Sequence, residues 1–213
     1  MLKKPVFNIL MVGVGGQGII TASDIITLAA VFSGYDAKKS EIHGMSQRGG
    51  SVFSHIRFGE KIYSPVISAG EANILMSLEE METLRWHEYT NKETTVIVLD
   101  TRITPAEVKE YPSGITDELK NRYRNFVLIN TEELKSRVGN ILYLNVALLG
   151  LLSNFLDFPE KSWKQAIKEE VPEAFFNDNW TAFISGKNEV IFNAGIKQDK
   201  RNDGKFFMDQ KDV

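Results

Sequence analysis

The sequence predicts an α/β fold with three layers, in which helices cover both faces of a mostly parallel β-sheet. Two observations support this prediction. Short apolar segments of strand length alternate with segments of helical periodicity, and a glycine turn joins the first strand directly to the first helix. We expect one domain over residues 1–196, helical in its C-terminal part, and a charged, flexible tail over residues 197–213.

The first strand, turn and helix form the clearest unit. Residues 6–12 are apolar apart from Asn8, which is typical of a buried strand in a parallel sheet. The glycine-rich residues 13–18 follow at once, and apolar residues then recur at helical spacing over Ile19–Phe32. Gly34 is a natural end for this helix. The pattern predicts a βα unit at the start of the sheet.

An antiparallel hairpin is predicted next. Residues 51–58 alternate between apolar and polar side chains, as in a strand with one wet face, whereas residues 38–50 before them are predicted as a loop. Gly59 and Glu60 form a tight connection to residues 61–64, so we expect the hairpin near the sheet edge. The other predicted elements are strands over residues 73–78, 94–99 and 126–129, and helices over residues 79–87, 145–155, 159–171 and 173–184.

Composition excludes several functions. The formal net charge of −3 over 213 residues gives no basic surface for nucleic acid. The longest apolar stretch, residues 141–152, is too short to span a membrane, and the N-terminus lacks the pattern of a signal peptide, so a cytoplasmic protein is expected. The sequence contains no cysteine. It therefore has no thiol nucleophile and cannot supply the thiolate ligands of an iron–sulfur cluster.

The glycine turn matches half of a dinucleotide-binding pattern. Glycines at these positions let a phosphate approach the backbone and leave the amides at the start of the helix open to an anion. The second half of the pattern is missing, because residues 36–41 include no apolar strand that would present an acidic residue to a ribose. Close packing of helix on strand and binding of a phosphate-bearing group remain equal alternatives. The candidate residues here are Gly13, Gly15, Gly16, Gln17 and Gly18.

The densest group of polar side chains lies in residues 39–51. Arg48 can bind a carboxylate or phosphate with two hydrogen bonds, and the His43 imidazole titrates near neutral pH. The simpler alternative is a turn in which Arg48 pairs with Glu41, and residue chemistry alone favours it. The candidate residues in this loop are His43, Gln47, Arg48, Gly49 and Gly50.

Together these two motifs resemble a known family. GVGGQG at residues 13–18, followed by SEIHGMSQRGGSV at residues 40–52, is similar to the gamma domain of pyruvate and 2-oxoacid ferredoxin oxidoreductases. Within that group the second string most resembles the beta subunits of indolepyruvate oxidoreductases. The resemblance extends over residues 6–186 and includes a later helix that begins near Asn145. Both motifs in this order are far more specific than either alone.

The resemblance implies a function and partners. Enzymes of this family decarboxylate a 2-oxoacid on thiamine diphosphate with magnesium, pass electrons through iron–sulfur clusters to ferredoxin, and release an acyl-coenzyme A. Indolepyruvate members act on aryl pyruvates. The implied partner is a large alpha subunit that carries thiamine diphosphate and ferredoxin-like domains, in a pair of heterodimers. This chain is then expected to hold no cofactor or metal of its own, with coenzyme A as co-substrate contacted by the two motifs, or with the motifs at the subunit interface.

Two alternatives stay open at this point. One is a gamma subunit for another 2-oxoacid, such as pyruvate, 2-oxoglutarate or a branched-chain ketoacid. The other is a stand-alone nucleotide-binding module that uses the glycine turn. No catalytic residue is assigned on this chain. The neighbouring acids Glu79, Glu80 and Glu82 are interpreted as the solvated start of a helix, favoured there by the helix dipole.

Overall fold

The computed structural model describes residues 5–43, 50–105 and 108–188, with the backbone alone at residue 43. Six strands form one sheet in the order β2-β3-β1-β4-β5-β6. The strands β1, β4, β5 and β6 are parallel, and β3 pairs antiparallel with both β1 and β2. The strands are β1 Phe7–Val14, β2 Asp36–His43, β3 Ser51–Gly59, β4 Ile74–Ser77, β5 Thr95–Leu99 and β6 Asn125–Ile129.

Helices cover both faces of the sheet, which confirms the predicted three-layer α/β fold. Along β1, Ile9 and Met11 face one hydrophobic core, while Leu10 and Val12 face the other, because successive side chains of a strand point to opposite sides. The described helices are α1 Ile19–Phe32, α2 Glu80–Arg85, α3 Ile115–Arg122, α4 Thr131–Val138, α5 Leu144–Leu152, α6 Glu160–Glu170 and α7 Phe176–Lys187. The cluster that contains Ile9 also contains residues of α1, α5, α6 and α7, whereas Leu119 of α3 packs in the other.

The helix of the first βα unit has the predicted bounds, whereas β1, Phe7–Val14, runs two residues past its predicted end at residue 12. The helix α1 covers Ile19–Phe32 and ends where Gly34 adopts a φ of 83°. The Gly34 N–H donates to the Val31 carbonyl, and the Tyr35 N–H donates to the Ala30 carbonyl. This closing turn satisfies carbonyl groups at the end of the helix and requires a left-handed residue, which glycine supplies at little cost.

The predicted hairpin of residues 51–58 with residues 61–64 is wrong, because β3 pairs with a different strand. The partner of β3 is β2, with Asp36 opposite Gly59 and His43 opposite Val52, so the loop between the strands precedes β3. The residues predicted as a loop from 38 onward are therefore strand up to His43, and no strand forms over residues 61–64. The cause is that β2 is a polar edge strand, stabilised by pairing rather than by an apolar face.

The helices α5 and α7 pack backbone against backbone. A Cβ atom added at Gly150 would lie 1.9 Å from the Phe183 carbonyl oxygen, and one added at Gly186 would lie 1.7 Å from the Ala147 carbonyl oxygen. The two glycines therefore allow an approach that larger residues would prevent. Among the described residues no single helix is long and apolar enough to cross a bilayer; Thr131–Val138 and Ile141–Phe155 qualify only as a pair, which is bent by 102°.

Candidate functional site

The side chain of Gln17 closes the glycine turn. The Val14 N–H donates to Gln17 Oε1 at 2.7 Å, and Gln17 Nε2 donates to the Leu78 carbonyl at 2.7 Å. One amide thus joins the carboxyl end of β1 to the carboxyl end of β4. Both ends of this amide are used within the fold, so Gln17 positions the turn rather than offering free groups to a ligand.

Two of the glycines are required by packing. A Cβ at Gly13 would lie 2.7 Å from Cδ1 of Ile19 and 2.8 Å from Oε1 of Gln17. A Cβ at Gly18, whose φ is 74°, would lie 2.4 Å from Nδ2 of Asn145. Gly16 differs, because its φ is 99° and a Cβ there would meet nothing within 4 Å. The packing alternative therefore explains Gly13 and Gly18, and Gly16 is the open position of the turn.

The start of α1 is held in place by a distant residue. Asn145, in the first turn of α5, donates from Nδ2 to the Gly18 carbonyl at 3.2 Å. Gly18 is the N-cap of α1 and has no side chain to cap the helix, and the first turn contains no acidic residue. Uncapped amides at the start of a 14-residue helix carry partial positive charge. This end of α1 is therefore the part of the turn suited to an anion.

A cavity of about 590 Å³ lies beside the turn. Gly16 and Gly18 form part of its wall, and the ends of β4 and β5 contribute Leu78 and Leu99. The remaining wall comes from the start of α5 and from the segment between α6 and α7. The position is the usual one for ligands in open α/β sheets, outside the carboxyl ends of parallel strands. Its polar side chains are Gln17, Thr21, Thr101, Tyr143, Asn145, Glu170 and Asn179.

The charge of the cavity comes from Glu170. No lysine, arginine or histidine is found among the described residues that line it. Burial raises the pKa of the Glu170 carboxyl, with the nearby Asp24 adding to the effect and Lys39 opposing it. Tyr143 donates to Asp178 Oδ2 at 3.0 Å, which raises the pKa of the Tyr143 hydroxyl. The lining is otherwise mainly apolar, so the cavity suits an uncharged or cationic group.

The acids of α2 are not solvated, which corrects the sequence interpretation. Glu79 and Glu80 are fully buried and Glu82 is 3% exposed. Glu79 accepts from the Tyr111 hydroxyl at 2.7 Å and the Ile103 N–H at 3.2 Å. Its pKa is raised, chiefly by burial, and these hydrogen bonds oppose the rise.

The other two acids bind separate segments. Glu80 accepts from Thr116 Oγ1 at 2.8 Å and forms an ion pair with Arg102. Glu82 accepts from Ser51 Oγ at the start of β3 and from Nε1 of Trp86. The carboxylates of Glu79, Glu80 and Glu82 accept hydrogen bonds from residues of other segments. Through these bonds α2 contacts the segment after β5 and the start of β3.

The second motif is only partly described. His43 ends β2 opposite Val52, and the Gly50 carbonyl accepts from the N–H of Gly15 at 2.9 Å, so the end of this loop touches the glycine turn. Glu41, the residue proposed as a partner for Arg48, forms an ion pair with Lys39. The predicted site residues Gln47, Arg48 and Gly49 lie outside the described residues, as does the predicted tail over residues 197–213.

The sheet also explains why the dinucleotide pattern is incomplete. In that pattern the second strand lies next to the first and presents an acid at its carboxyl end. Here β3 lies between β1 and β2. Asp36 begins β2, at the end of the sheet away from the turn, and accepts from the Ile62 N–H at 2.8 Å. Asp36 is therefore not placed to bind a ribose beside the turn.

The fold defines a class of three-layer α/β proteins, and solved structures share it. The gamma subunit of a keto/oxoacid ferredoxin oxidoreductase from Geobacter sulfurreducens superposes with a TM-score of 0.65 at 24% identity, covering 85% of this chain and 94% of that one. A 2-oxoglutarate:ferredoxin oxidoreductase from Magnetococcus marinus, solved with 2-oxoglutarate, coenzyme A and succinyl-CoA, gives 0.67 at 19% identity, covering 85% of this chain and 30% of that one.

Sequence comparison identifies the protein family of the chain. Residues 8–189 match the model of the pyruvate ferredoxin/flavodoxin oxidoreductase family. The indolepyruvate oxidoreductase subunit IorB of Thermococcus kodakarensis is 37% identical over 191 residues, which cover 84% of this chain and 94% of that protein. IorB of Archaeoglobus fulgidus is 35% identical over 192 residues, 86% and 95% of the two chains. The chain therefore belongs to the pyruvate ferredoxin/flavodoxin oxidoreductase family and is an oxidoreductase subunit, as the two motifs predicted.

Sequence reasoning missed most of the cavity. The sequence indicates Asn145 only as the start of a helix that the family shares. Its contact with Gly18 joins residues that are 127 positions apart in the chain. Thr101, Glu170 and Asn179 carried no local signal, because each is one polar residue at the end of, or within, an ordinary element. The packing of α5, α6 and α7 over the sheet brings these residues together, and the local sequence does not reveal that packing.

Proposed function

We propose that this chain is the small subunit of an indolepyruvate:ferredoxin oxidoreductase. The enzyme would oxidatively decarboxylate indolepyruvate and other aryl pyruvates to aryl-acetyl-CoA and reduce ferredoxin. The main support is the difference in identity between relatives. IorB of Thermococcus kodakarensis is 37% identical to this chain, whereas the common gamma subunit of pyruvate/ketoisovalerate oxidoreductases from the same organism is 23% identical. This difference favours indolepyruvate over the other 2-oxoacids.

We further propose that the redox chemistry takes place on a larger partner subunit. The sequence has no cysteine for an iron–sulfur cluster, and the described residues include no group of three His, Asp or Glu side chains that would hold the magnesium of thiamine diphosphate. The sequence thus does not fit an iron–sulfur cluster, and the described residues offer no cluster of metal ligands. The larger subunit would carry the iron–sulfur clusters and thiamine diphosphate, in a pair of heterodimers. The glycine turn and the loop at residues 43–51 would face its active site.

The proposed share of this chain in the reaction is to bind coenzyme A. Bound coenzyme A supplies the thiol that accepts the acyl group. The amides at the start of α1 would donate hydrogen bonds to one of its phosphates, and Gly16, open at a φ of 99°, would let the phosphate approach the backbone. Arg48, in the part of the loop outside the described residues, would add a second phosphate or carboxylate contact.

Purification of the assembled enzyme tests the proposal. Tagged chain co-expressed with the larger subunit of its own organism should be recovered anaerobically as a brown complex that contains thiamine diphosphate. The complex should reduce ferredoxin when given indolepyruvate and coenzyme A. A colourless chain recovered alone with a bound nucleotide would instead support the stand-alone nucleotide-binding alternative.

A pair of glycine variants tests the coenzyme A contact. Gly16→Ala should raise the KM for coenzyme A about tenfold, because it places a methyl group where the phosphate approaches and costs roughly one hydrogen bond. Gly34→Ala is the matched control, since Gly34 also has a positive φ, 83°, and open space but lies at the other end of α1. Equal KM values in the two variants would contradict the contact.

A further inference from the structure

The rim of the cavity exposes large apolar side chains. Ile141 is 59% exposed, Leu142 is 72% exposed and Phe175 is 52% exposed. All three also line the cavity, so the exposed surface continues into its wall. Apolar surface of this kind, grouped around a cavity, marks an interaction site more often than isolated exposed residues do.

Hydrogen bonds fix the two backbone segments that form the rim. Oδ1 of Asn140 accepts from the Leu142 N–H at 3.0 Å, which fixes the short helical turn Ile141–Tyr143. On the facing segment, Asn179 donates from Nδ2 to the Phe175 carbonyl at 2.9 Å. The hydroxyl of Tyr143 bonds Asp178, so the turn is tied to α7. These contacts fix the backbone segments that carry the apolar side chains.

The charge of the cavity restricts what enters it. Its described lining contains a carboxylate, Glu170, and no cationic side chain, so an anionic group would be repelled and would find no counter-charge there. The phosphates of a nucleotide are therefore suited to the backbone amides of the turn rather than to the body of the cavity. An apolar group that carries an N–H donor or a positive charge complements both the lining and Glu170.

We propose that the cavity is a docking pocket for the larger subunit, filled by apolar side chains of that subunit that present an N–H donor or a cation to Glu170. The proposal rests on the proposed function, because it requires a larger partner, as expected for this oxidoreductase family. A volume of about 590 Å³ holds more than one large side chain. Aromatic residues and arginine, which join apolar area to a donor, are the residues that dominate such interfaces.

Interface variants test the pocket on the full chain with the larger subunit. Leu142→Glu should raise the Kd of the complex at least tenfold, as expected when a central apolar contact is lost and a second negative charge is added to the cavity lining. Val31→Glu, at a 45% exposed position in α1 outside the lining, is the matched control and should leave the Kd unchanged. Both isolated variants should keep the wild-type melting temperature, since both positions face water.

A second pair of variants tests the charge. Glu170→Gln should weaken the complex severalfold, whereas Glu169→Gln, at the exposed neighbouring position in α6, should not. Wild-type Kd values for both Leu142→Glu and Glu170→Gln, or a raised KM for coenzyme A with an unchanged Kd, would overturn the docking proposal. A complex that is sensitive to Leu142→Glu but oxidises another 2-oxoacid would uphold the pocket and refute only the substrate assignment. A wild-type chain that binds no larger subunit would refute both.

Discussion

Replacement of Gly150 by alanine separates packing from helix propensity. Gly150 lies inside α5, where alanine is intrinsically better than glycine by about 1 kcal/mol, so propensity alone predicts a more stable protein. The structure predicts the opposite. The new Cβ would lie 1.9 Å from the Phe183 carbonyl oxygen of α7, whereas real Cβ contacts essentially never fall under 3.0 Å. The helices would have to separate by roughly 1 Å, and overpacking of this size costs about 3 kcal/mol.

The expected net loss is about 2 kcal/mol, since the gain in propensity offsets part of the cost. For a domain of this size, that corresponds to a fall in Tm of about 4–8 °C. Urea unfolding followed by circular dichroism measures the free energy, and thermal scans measure the Tm. Gly139→Ala is a control with open space around a φ of 78°, and it should lose only about 1 kcal/mol from backbone strain. A more stable Gly150→Ala would refute the backbone-to-backbone packing of α5 and α7.

Two further predictions concern buried polar groups. Tyr111→Phe removes the hydroxyl that donates to the fully buried Glu79, so the free energy of unfolding should fall by about 1–3 kcal/mol. The control Tyr63→Phe, at an 87% exposed position, should leave the free energy of unfolding unchanged. Equal free energies for the two variants in urea unfolding would contradict the hydrogen bond between Tyr111 and Glu79. The pKa of His55 is lowered, mainly by burial and then by Arg57. As the pH falls below 6.5, the unfolded state therefore binds a proton at this residue before the folded state does. Stability should therefore fall from pH 6.5 toward the lower folded pKa, and His55→Gln should flatten that slope, whereas the exposed His87→Gln should retain it.

The first βα unit could be predicted from the sequence because its signals are local. The glycine turn fixes where β1 ends, and Gly34 fixes where α1 ends, since each requires a conformation that other residues avoid. The strand β2 could not be predicted in this way. Residues such as Lys38, Lys39 and Ser40 show no apolar alternation, and they form a strand only because β3 lies alongside.

Two short polar helices were also missed. The helix α4 carries local sequence signals at both ends. Asn130 is the N-cap, and its side chain accepts from the N–H of Glu133, while Gly139 ends the helix with a φ of 78°. The helix α3 begins after Gly114, which offers no capping side chain, and only Leu119 is buried. Its place depends on packing against the sheet, which the local sequence does not show.

The candidate site, like the fold, has features that the sequence predicts and features that it does not. The position of the glycine turn followed from the sequence, because the motif is local, although its contacts with Leu78 and Asn145 are long-range. The burial of Glu79 did not, since it depends on Tyr111 and Ile103, which are brought there by the loop after β5. The cavity depends on Asn145 and Glu170, which lie far along the chain from the glycine turn and reach it only through the packing of α5 and α6.

Substrate choice by the assembled enzyme tests the central claim most directly. The complex of this chain with its larger subunit would be assayed anaerobically for ferredoxin reduction, with coenzyme A present and with indolepyruvate, pyruvate, 2-oxoglutarate or 2-ketoisovalerate as substrate. We predict that kcat/KM is highest for indolepyruvate, that an aryl-acyl-CoA is formed, and that the larger subunit alone is inactive. A higher kcat/KM for pyruvate or another aliphatic 2-oxoacid, or full activity without this chain, would contradict the claim.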